Sequence, residues 1–253
     1  MPQICHSKPQ NMKKLFLFSF FGMLIFCSCN YVGGGKRVEG NGNVISQDRP
    51  TGKFHSIDVS GAINVYVKQD SQEAVKVQAD ANLQELIEVR EENGVLYISP
   101  RDNFNLDPSN DVIKVYVTAP LYRSLHVSGA SNIFGENKLS SSETLDLDVT
   151  GASEIKLEVK APRINADLTG ASSVTIAGET RDFNLQGSGA SQVNCFDLLT
   201  ENTTVDISGA FSAEVNASVK LDVSASGASE IKYKGSPAVT QDLSGASNVN
   251  KVN

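Results

Sequence analysis

The feature that most constrains this chain is a short unit, Ser/Thr-Gly-Ala, that recurs eight times. Its glycines are Gly61, Gly129, Gly151, Gly170, Gly189, Gly209, Gly227 and Gly245, and the last seven are separated by 22, 19, 19, 20, 18 and 18 residues. So steady a period marks stacked supersecondary units, none of which can bury its apolar side alone. Four places after each glycine stands a small or aliphatic residue: Val65, Ile133, Ile155, Val174, Val193, Ala213, Ile231 and Val249. Three places before it stands Asp in five copies: Asp58, Asp148, Asp167, Asp206 and Asp242.

The flanks alternate. Leu145, Leu147 and Val149 interleave with Asp146, Asp148 and Thr150, and Ile155, Leu157 and Val159 with Glu154, Lys156 and Glu158. A period of two means strands with one buried face. Each repeat therefore reads as strand, tight Gly-Ala turn, strand and looser turn, the last at sites such as Ala161-Pro162 and Ala177-Gly178. An antiparallel meander and a β-solenoid both fit this order. In a solenoid each position lies over its equivalent one rung away, about 4.8 Å off. That explains why a position keeps its residue type in every copy, so residues 126–253 are expected to form a solenoid of parallel rungs. Ala is then expected over Ala at a corner with little room. Ala190, between Ala171 and Ala210, should reject Leu, and Ala62, outside the regular array, should be more tolerant.

Residues 53–125 are less regular and read as mostly antiparallel β. Ile57-Asp58-Val59 and Val65-Tyr66-Val67 flank the first Gly-Ala turn, and Val112 to Val117 alternates up to Pro120. Asn93-Gly94 between two apolar runs is a two-residue hairpin signal. Asn82 to Ile87 suits a helical turn, and Arg101 to Asn110, polar with Pro108, reads as a loop.

The start of the chain carries an export signal. Met12-Lys13-Lys14 precedes the uncharged apolar run Leu15 to Phe26, which is short for a membrane span and has the length of a signal-peptide core. Residues 1–11 read as an upstream mis-start or short extra leader. The run ends in Phe26-Cys27-Ser28-Cys29, where a small residue before Cys resembles the lipobox of bacterial lipoproteins, with Phe26 where Leu is usual. Residues 1–28 are thus expected to be a signal peptide, Cys29 the lipidated residue, and 29–52, Gly-rich from Tyr31 to Asn43, a flexible tether. Cleavage nearby by ordinary signal peptidase is the alternative. The leader holds Lys8, Lys13 and Lys14 and no acid, which leaves 19 basic against 29 acidic residues in the mature part. That balance does not suggest nucleic acid as a partner. Cys195 is the one mature cysteine beyond the anchor, so no internal disulfide framework is expected, and its register beside Leu157, Ile176 and Val215 suggests a small buried hydrophobe.

The leader, the segment from Phe54 to Val65 (Phe-His-Ser-Ile-Asp-Val-Ser-Gly-Ala-Ile-Asn-Val) and the serial Ser-Gly-Ala-Ser turns together resemble the putative auto-transporter adhesin head GIN domain family, over about Lys53 to Asn253. The resemblance implies a right-handed parallel β-helix-like fold, glycine motifs at tight turns between two sheets, and a role in cell adhesion. It brings no catalytic residues. Phe211 replaces the usual Ser after Ala210, and Gly187 and Ala225 replace larger aliphatics two places before their glycines.

Chemistry-bearing residues are sparse. His55 and His126 are read as surface histidines, with His126 in the Asp register. Ser-Gly-Ala-Ser lacks the glycine spacing of a nucleophile elbow, and eight copies suit a structural turn better than a nucleophile needed once. No Cys/His metal cluster and no cofactor are expected. Asp148 and Asp167 should stack one rung apart. Such a ladder suits a cation, or a pectin-lyase-like enzyme acting on acidic polysaccharide, but Gln186 and Ser224 interrupt it. The leading expectation is therefore a non-enzymatic cell-envelope lipoprotein, in the outer membrane, whose solenoid is an adhesin or binding scaffold. Its partner would be a glycan or a host or neighbour-cell surface component. The alternatives are the polysaccharide-active enzyme and a periplasmic scaffold for a protein partner. Lys251 stands where earlier copies bury Leu157 and Ile176, so the last repeat reads as an open end suited to a second chain, possible as a homo-oligomer.

Overall fold

The computed structural model describes residues 35–252, so the signal peptide, Cys29 and the start of the tether lie outside the described residues. The first half of the described chain forms β1 (Lys36–Glu39), β2 (Val44–Asp48), β3 (Ser56–Val59), β4 (Ile63–Gln69), β5 (Ala74–Asp80), β6 (Ile87–Glu92), β7 (Val95–Pro100), β8 (Phe104–Asp107), β9 (Ile113–Ala119), β10 (Ser124–Val127) and β11 (Asn132–Gly135). The repeats continue as β12 (Leu139–Ser140), β13 (Leu145–Gly151), β14 (Glu154–Gly170), β15 (Ser173–Gly189), β16 (Gln192–Asn194), β17 (Leu198–Gly209), β18 (Ser212–Asn216), β19 (Lys220–Gly227), β20 (Glu230–Lys234), β21 (Ala238–Leu243) and β22 (Asn248–Lys251). Among the described residues one 3-10 turn, Gln84–Leu86, interrupts the β structure where the helical turn is expected.

The repeats form a parallel β-solenoid. β14 and β15 run in register from Glu154↔Ser173 to Gly170↔Gly189, and β15 pairs onward with β17 from Gly178↔Leu198 to Gly189↔Gly209. The alternation in sequence becomes an alternation in space. On the strands before the turn Leu147, Leu185 and Val205 point inward in one row, and on those after it Ile155, Val174 and Val193 do the same, all essentially inaccessible to water. These rows from both strand sets meet in one continuous hydrophobic core. Burying one such side chain contributes roughly 1.5–3 kcal/mol, so each rung is stabilised chiefly by the rungs above and below it.

The first Gly-Ala turn belongs to the same stack. β3 pairs in parallel with β10, and β4 with β11, so Gly61 lies under Gly129. Below it the chain makes an excursion and returns: β7 pairs in parallel with β3, and β9 with β4, which builds a further layer from strands distant in sequence. The antiparallel part is confined to β2–β5, β5–β9 and the β6–β7 hairpin. That hairpin turns at Asn93 (φ 54°) and Gly94 (φ 81°), the two left-handed residues a tight two-residue connection requires. The expected break between an irregular region and the repeats near residue 125 falls inside β10, in the middle of one ladder.

Two segments expected to be irregular are strands. Lys36–Glu39, inside the expected tether, pairs in parallel with Phe104–Asp107, inside the expected loop, and Val44–Asp48 adds an antiparallel edge to β5. Each strand of the first pair is only four residues long; Lys36–Glu39 is largely exposed and Phe104–Asp107 no more than half-buried, so neither announces itself. Each needs the other, about 70 residues away, to satisfy its backbone.

The crowded position of the corner is glycine, not alanine. Ala62, Ala130, Ala152, Ala171, Ala190, Ala210, Ala228 and Ala246 are all exposed. A Cβ on Gly189 (φ +103°) would stand 2.4 Å from the carbonyl oxygen of Gly170, and equivalent contacts recur along the column. The Ala N–H groups bond back to those same carbonyls, as in Ala190 N–H to Gly170 O at 2.7 Å. Inside the turn it is the next residue, Ser131, Ser153, Ser172, Ser191 and Ser229, that is buried. Its hydroxyl donates to backbone, for example Ser172 Oγ to Thr169 O at 3.1 Å. The structure does not explain why the exposed residue is always Ala. Ala190→Leu is therefore expected to melt within about 0.5 kcal/mol of the parent, as for an ordinary surface change, by thermal denaturation followed by circular dichroism. This reverses the expectation drawn from the repeat alone.

Candidate binding faces

The solenoid presents two outer faces, one on each side of the Gly-Ala corner. On the face before the corner the Asp register forms one continuous row. Tyr97, Asp58, His126, Asp148, Asp167, Gln186, Asp206, Ser224 and Asp242 pair in sequence across nine successive strands. The predicted stacking of Asp148 on Asp167 is thus present. Like charges on adjacent strands repel. Here the repulsion is limited by spacing: Gln186 and Ser224 separate the later carboxylates, and His126 Nδ1 lies 3.0 Å from Asp148 Oδ2. His126 is one-third exposed and outward, as its register requires.

A second row runs beside the first. Asn165 Nδ2 donates to Asp146 Oδ1 at 2.7 Å, and Asn184 Nδ2 to Asn165 Oδ1 at 2.8 Å. Thr204 follows in register. The two rows bound a groove of about 520 Å³ along the solenoid axis, with Asp146, Asn165, Asn184 and Thr204 on one side and Asp148, Asp167, Gln186 and Asp206 on the other. This groove offers carboxylate, amide and hydroxyl groups repeated at strand spacing. Among the described residues no group of three or more His, Cys, Asp or Glu side chains is arranged to hold a metal ion. The Asp ladder is thus a row of carboxylates carried one on each of several strands.

The face after the corner carries a feature the repeat pattern conceals. Tyr116, Tyr66 and Phe134 occupy one outward row on β9, β4 and β11. The Tyr66 and Tyr116 rings stack at 5.2 Å between centroids, and Phe134 lies tilted against Tyr66 at 5.6 Å. Aligning Tyr66 with Tyr116 requires knowing that β9 returns beneath β4, which no periodicity reveals.

The remaining expected residues fall apart in space. His55 Nδ1 is 3.0 Å from Ser56 Oγ at the start of β3, far in sequence and role from the Asp groove. Cys195 is buried in the inner row beside Ile176 and Val215, and burial pushes its thiol up to about 12, which keeps it protonated and unreactive. Lys251 pairs with Tyr233 in the register that earlier copies bury, and it is exposed.

Parallel rungs, a glycine corner column and outward rows of polar side chains define a parallel β-solenoid. The chain belongs to the putative auto-transporter adhesin, head GIN domain family, whose model matches residues 53–237. Among solved structures it is similar to a putative adhesin from Bacteroides fragilis, with a TM-score of 0.79 at 21 % identity over 85 % of this chain and 100 % of that one. It is also similar to a putative lipid binding protein from Parabacteroides distasonis, with a TM-score of 0.70 at 21 % identity over 86 % of this chain and 100 % of that one. A putative adhesin from Parabacteroides merdae matches with a TM-score of 0.67 at 18 % identity over 87 % of this chain and 100 % of that one. These likenesses show the fold. A comparison with curated proteins returns no match.

Proposed function

We propose that the protein is a cell-envelope lipoprotein, attached through Cys29, whose solenoid is a non-catalytic binding scaffold of the adhesin kind. The observation that carries this reading is the groove between the Asp146 row and the Asp148 row. It sets a polar side chain of carboxylate, amide or hydroxyl type on each side at every rung, an arrangement suited to a repetitive partner such as a glycan, held by many weak contacts and not by one reactive centre. Family membership supports the same reading, as does the envelope setting expected from the leader.

The test is a screen of a fragment starting at Gly35, because a start at Gly40 would remove β1. Glycans, extracellular-matrix proteins and phospholipid vesicles form its arms. The lipid arm is included because one structural neighbour is named a lipid binding protein. Retention by a glycan or matrix protein is expected, weakened by combined Asp167→Ala and Asn184→Ala. Cleavage of an acidic glycan would replace this reading with the lyase one, and failure to bind in every arm would remove the adhesive reading. Anchoring has its own readout. Mass spectrometry of membrane-extracted protein should show a chain that begins at Cys29 and carries a diacylglycerol mass. A soluble product beginning after Cys29 would exclude the lipid.

A further inference from the structure

Residues Gly35 to Asp48 are attached to the solenoid differently from everything that follows them. They make two strands, β1 and β2, and not one of their residues is buried. β1 pairs with β8 alone, in a two-stranded sheet separate from the main one, and β2 pairs with β5 alone, at its outer edge. The family match begins at residue 53, after this segment.

Besides its two edge ladders and the exposed Arg37–Asp107 ion pair, the segment is held by a short set of polar pins on one stretch of chain, Asp80 to Gln84. The Asp80 side chain is inaccessible to water, and its carboxylate accepts from Gly42 N–H at 2.7 Å, Ser109 N–H at 3.0 Å and Ser109 Oγ–H at 2.6 Å. It thereby ties the segment and the β8 loop to the same point. Gly40 passes so close that a Cβ there would lie 2.3 Å from Asp80 Oδ2. Asn82 accepts from Asn41 N–H at 3.0 Å and donates to Glu39 O at 2.8 Å. The buried Gln84 amide donates to Ile45 O at 3.0 Å. Few buried apolar contacts and mostly exposed backbone hydrogen bonds are the marks of a unit that opens below the free energy of global unfolding.

We infer that Gly35–Asp48 is a strap that peels from the solenoid as a unit, leaving the rungs intact, with Asp80 as its principal pin. Opening the strap converts it to free chain between the leader and the folded body. At about 3.3 Å per extended residue, that adds at most roughly 45 Å of free chain to an N-terminal tether. A surface-tethered binding scaffold gains reach and gives under load before its rungs do. This consequence rests on the anchoring proposed above; the peeling does not.

Hydrogen exchange read by mass spectrometry on the full chain tests it. Amides of Lys36–Glu39 and Val44–Asp48 should exchange at least about 100-fold faster than those of Leu145–Val149 and Phe183–Leu185, the scale on which local opening departs from global unfolding. Asp80→Ala should speed exchange in the strap and in Phe104–Ser109 at least about tenfold further, with the rung amides unmoved. Should Asp80→Ala fail to fold, Asn82→Ala, at an exposed site with two strap bonds, gives the same comparison. Equal protection of strap and rungs in the parent protein would overturn the proposal. So would a pin variant that accelerates every region alike. Neither outcome depends on lipidation, which the mass of the Cys29 peptide decides separately.

Discussion

Gly189→Ala should destabilise the protein by roughly 2–4 kcal/mol, the sum of a forced left-handed backbone and an overpacked contact. Gly189 has φ +103°, and its new methyl would stand 2.4 Å from Gly170 O and 3.1 Å from Gly170 N. Neither atom can retreat, because Gly170 is itself stacked on Gly151 and its carbonyl accepts the Ala190 N–H. For a domain of this size, the loss corresponds to a fall of roughly 5–15 °C in melting temperature. Gly129→Ala is the control. Gly129 also has positive φ (+78°), but the nearest atom to its Cβ position is Gly61 N at 3.3 Å, so chiefly the backbone cost of about 1 kcal/mol remains. Similar melting curves for the two variants would mean that the glycine column is kept for its turn conformation alone.

The second large effect is expected at Phe211, which stands where five other turns bury Ser. Phe211 is 1 % exposed, and the space for its ring comes from the facing rung: a Cβ on Gly187 would lie 2.4 Å from Phe211 Cε2. Gly187 sits in the inner row between Leu168 and Ile207, where a large aliphatic otherwise belongs. The two departures from the repeat are therefore one exchange, a large residue moved from one rung to the next. Phe211→Ser restores the repeat consensus yet should cost about 3–5 kcal/mol, because the ring's volume is left empty. Gly187→Leu alone should be comparably harmful, through collision with the ring. Together they should recover much of the loss, with a coupling of roughly 1–3 kcal/mol in a thermal or urea double-mutant cycle. Additive losses would show that the two sites do not share one packing volume.

These variants mark what could be read without coordinates. The position of every Gly-Ala corner, the inward rows such as Ile155, Val174 and Val193, the outward Asp row and the Asn93-Gly94 hairpin are all legible in the sequence. They depend on interactions that repeat with the chain: pleat alternation, left-handed turn residues and in-register stacking each write the same letter at a fixed interval. The Asp148–Asp167 neighbours followed from that interval alone. The groove they border did not, because it needs the second row, Asp146, Asn165, Asn184 and Thr204, whose residue types vary.

What the tertiary structure alone decided lies where contacts join segments with no common period. An invariant Ala looks like a packing constraint, yet Ala190 is exposed and the crowded residue is Gly189, against the carbonyl of Gly170 one rung away, since residue type does not reveal which way a corner methyl points. The Gly187–Phe211 exchange reads as two local irregularities until the rungs are stacked. Strands Lys36–Glu39 and Phe104–Asp107 look like tether and loop because each is short and set in a glycine-rich or polar stretch, and only their mutual pairing makes them strands. The layer of β7 and β9 beneath the first Gly-Ala turn, and with it the Tyr116–Tyr66–Phe134 stack, arises from an excursion of some 50 residues that closes on itself through backbone hydrogen bonds. Sequence determined the rung, because a rung is held by neighbours that repeat its own pattern; tertiary structure decided the first layer and the strap, because their partners are distant and share no pattern with them.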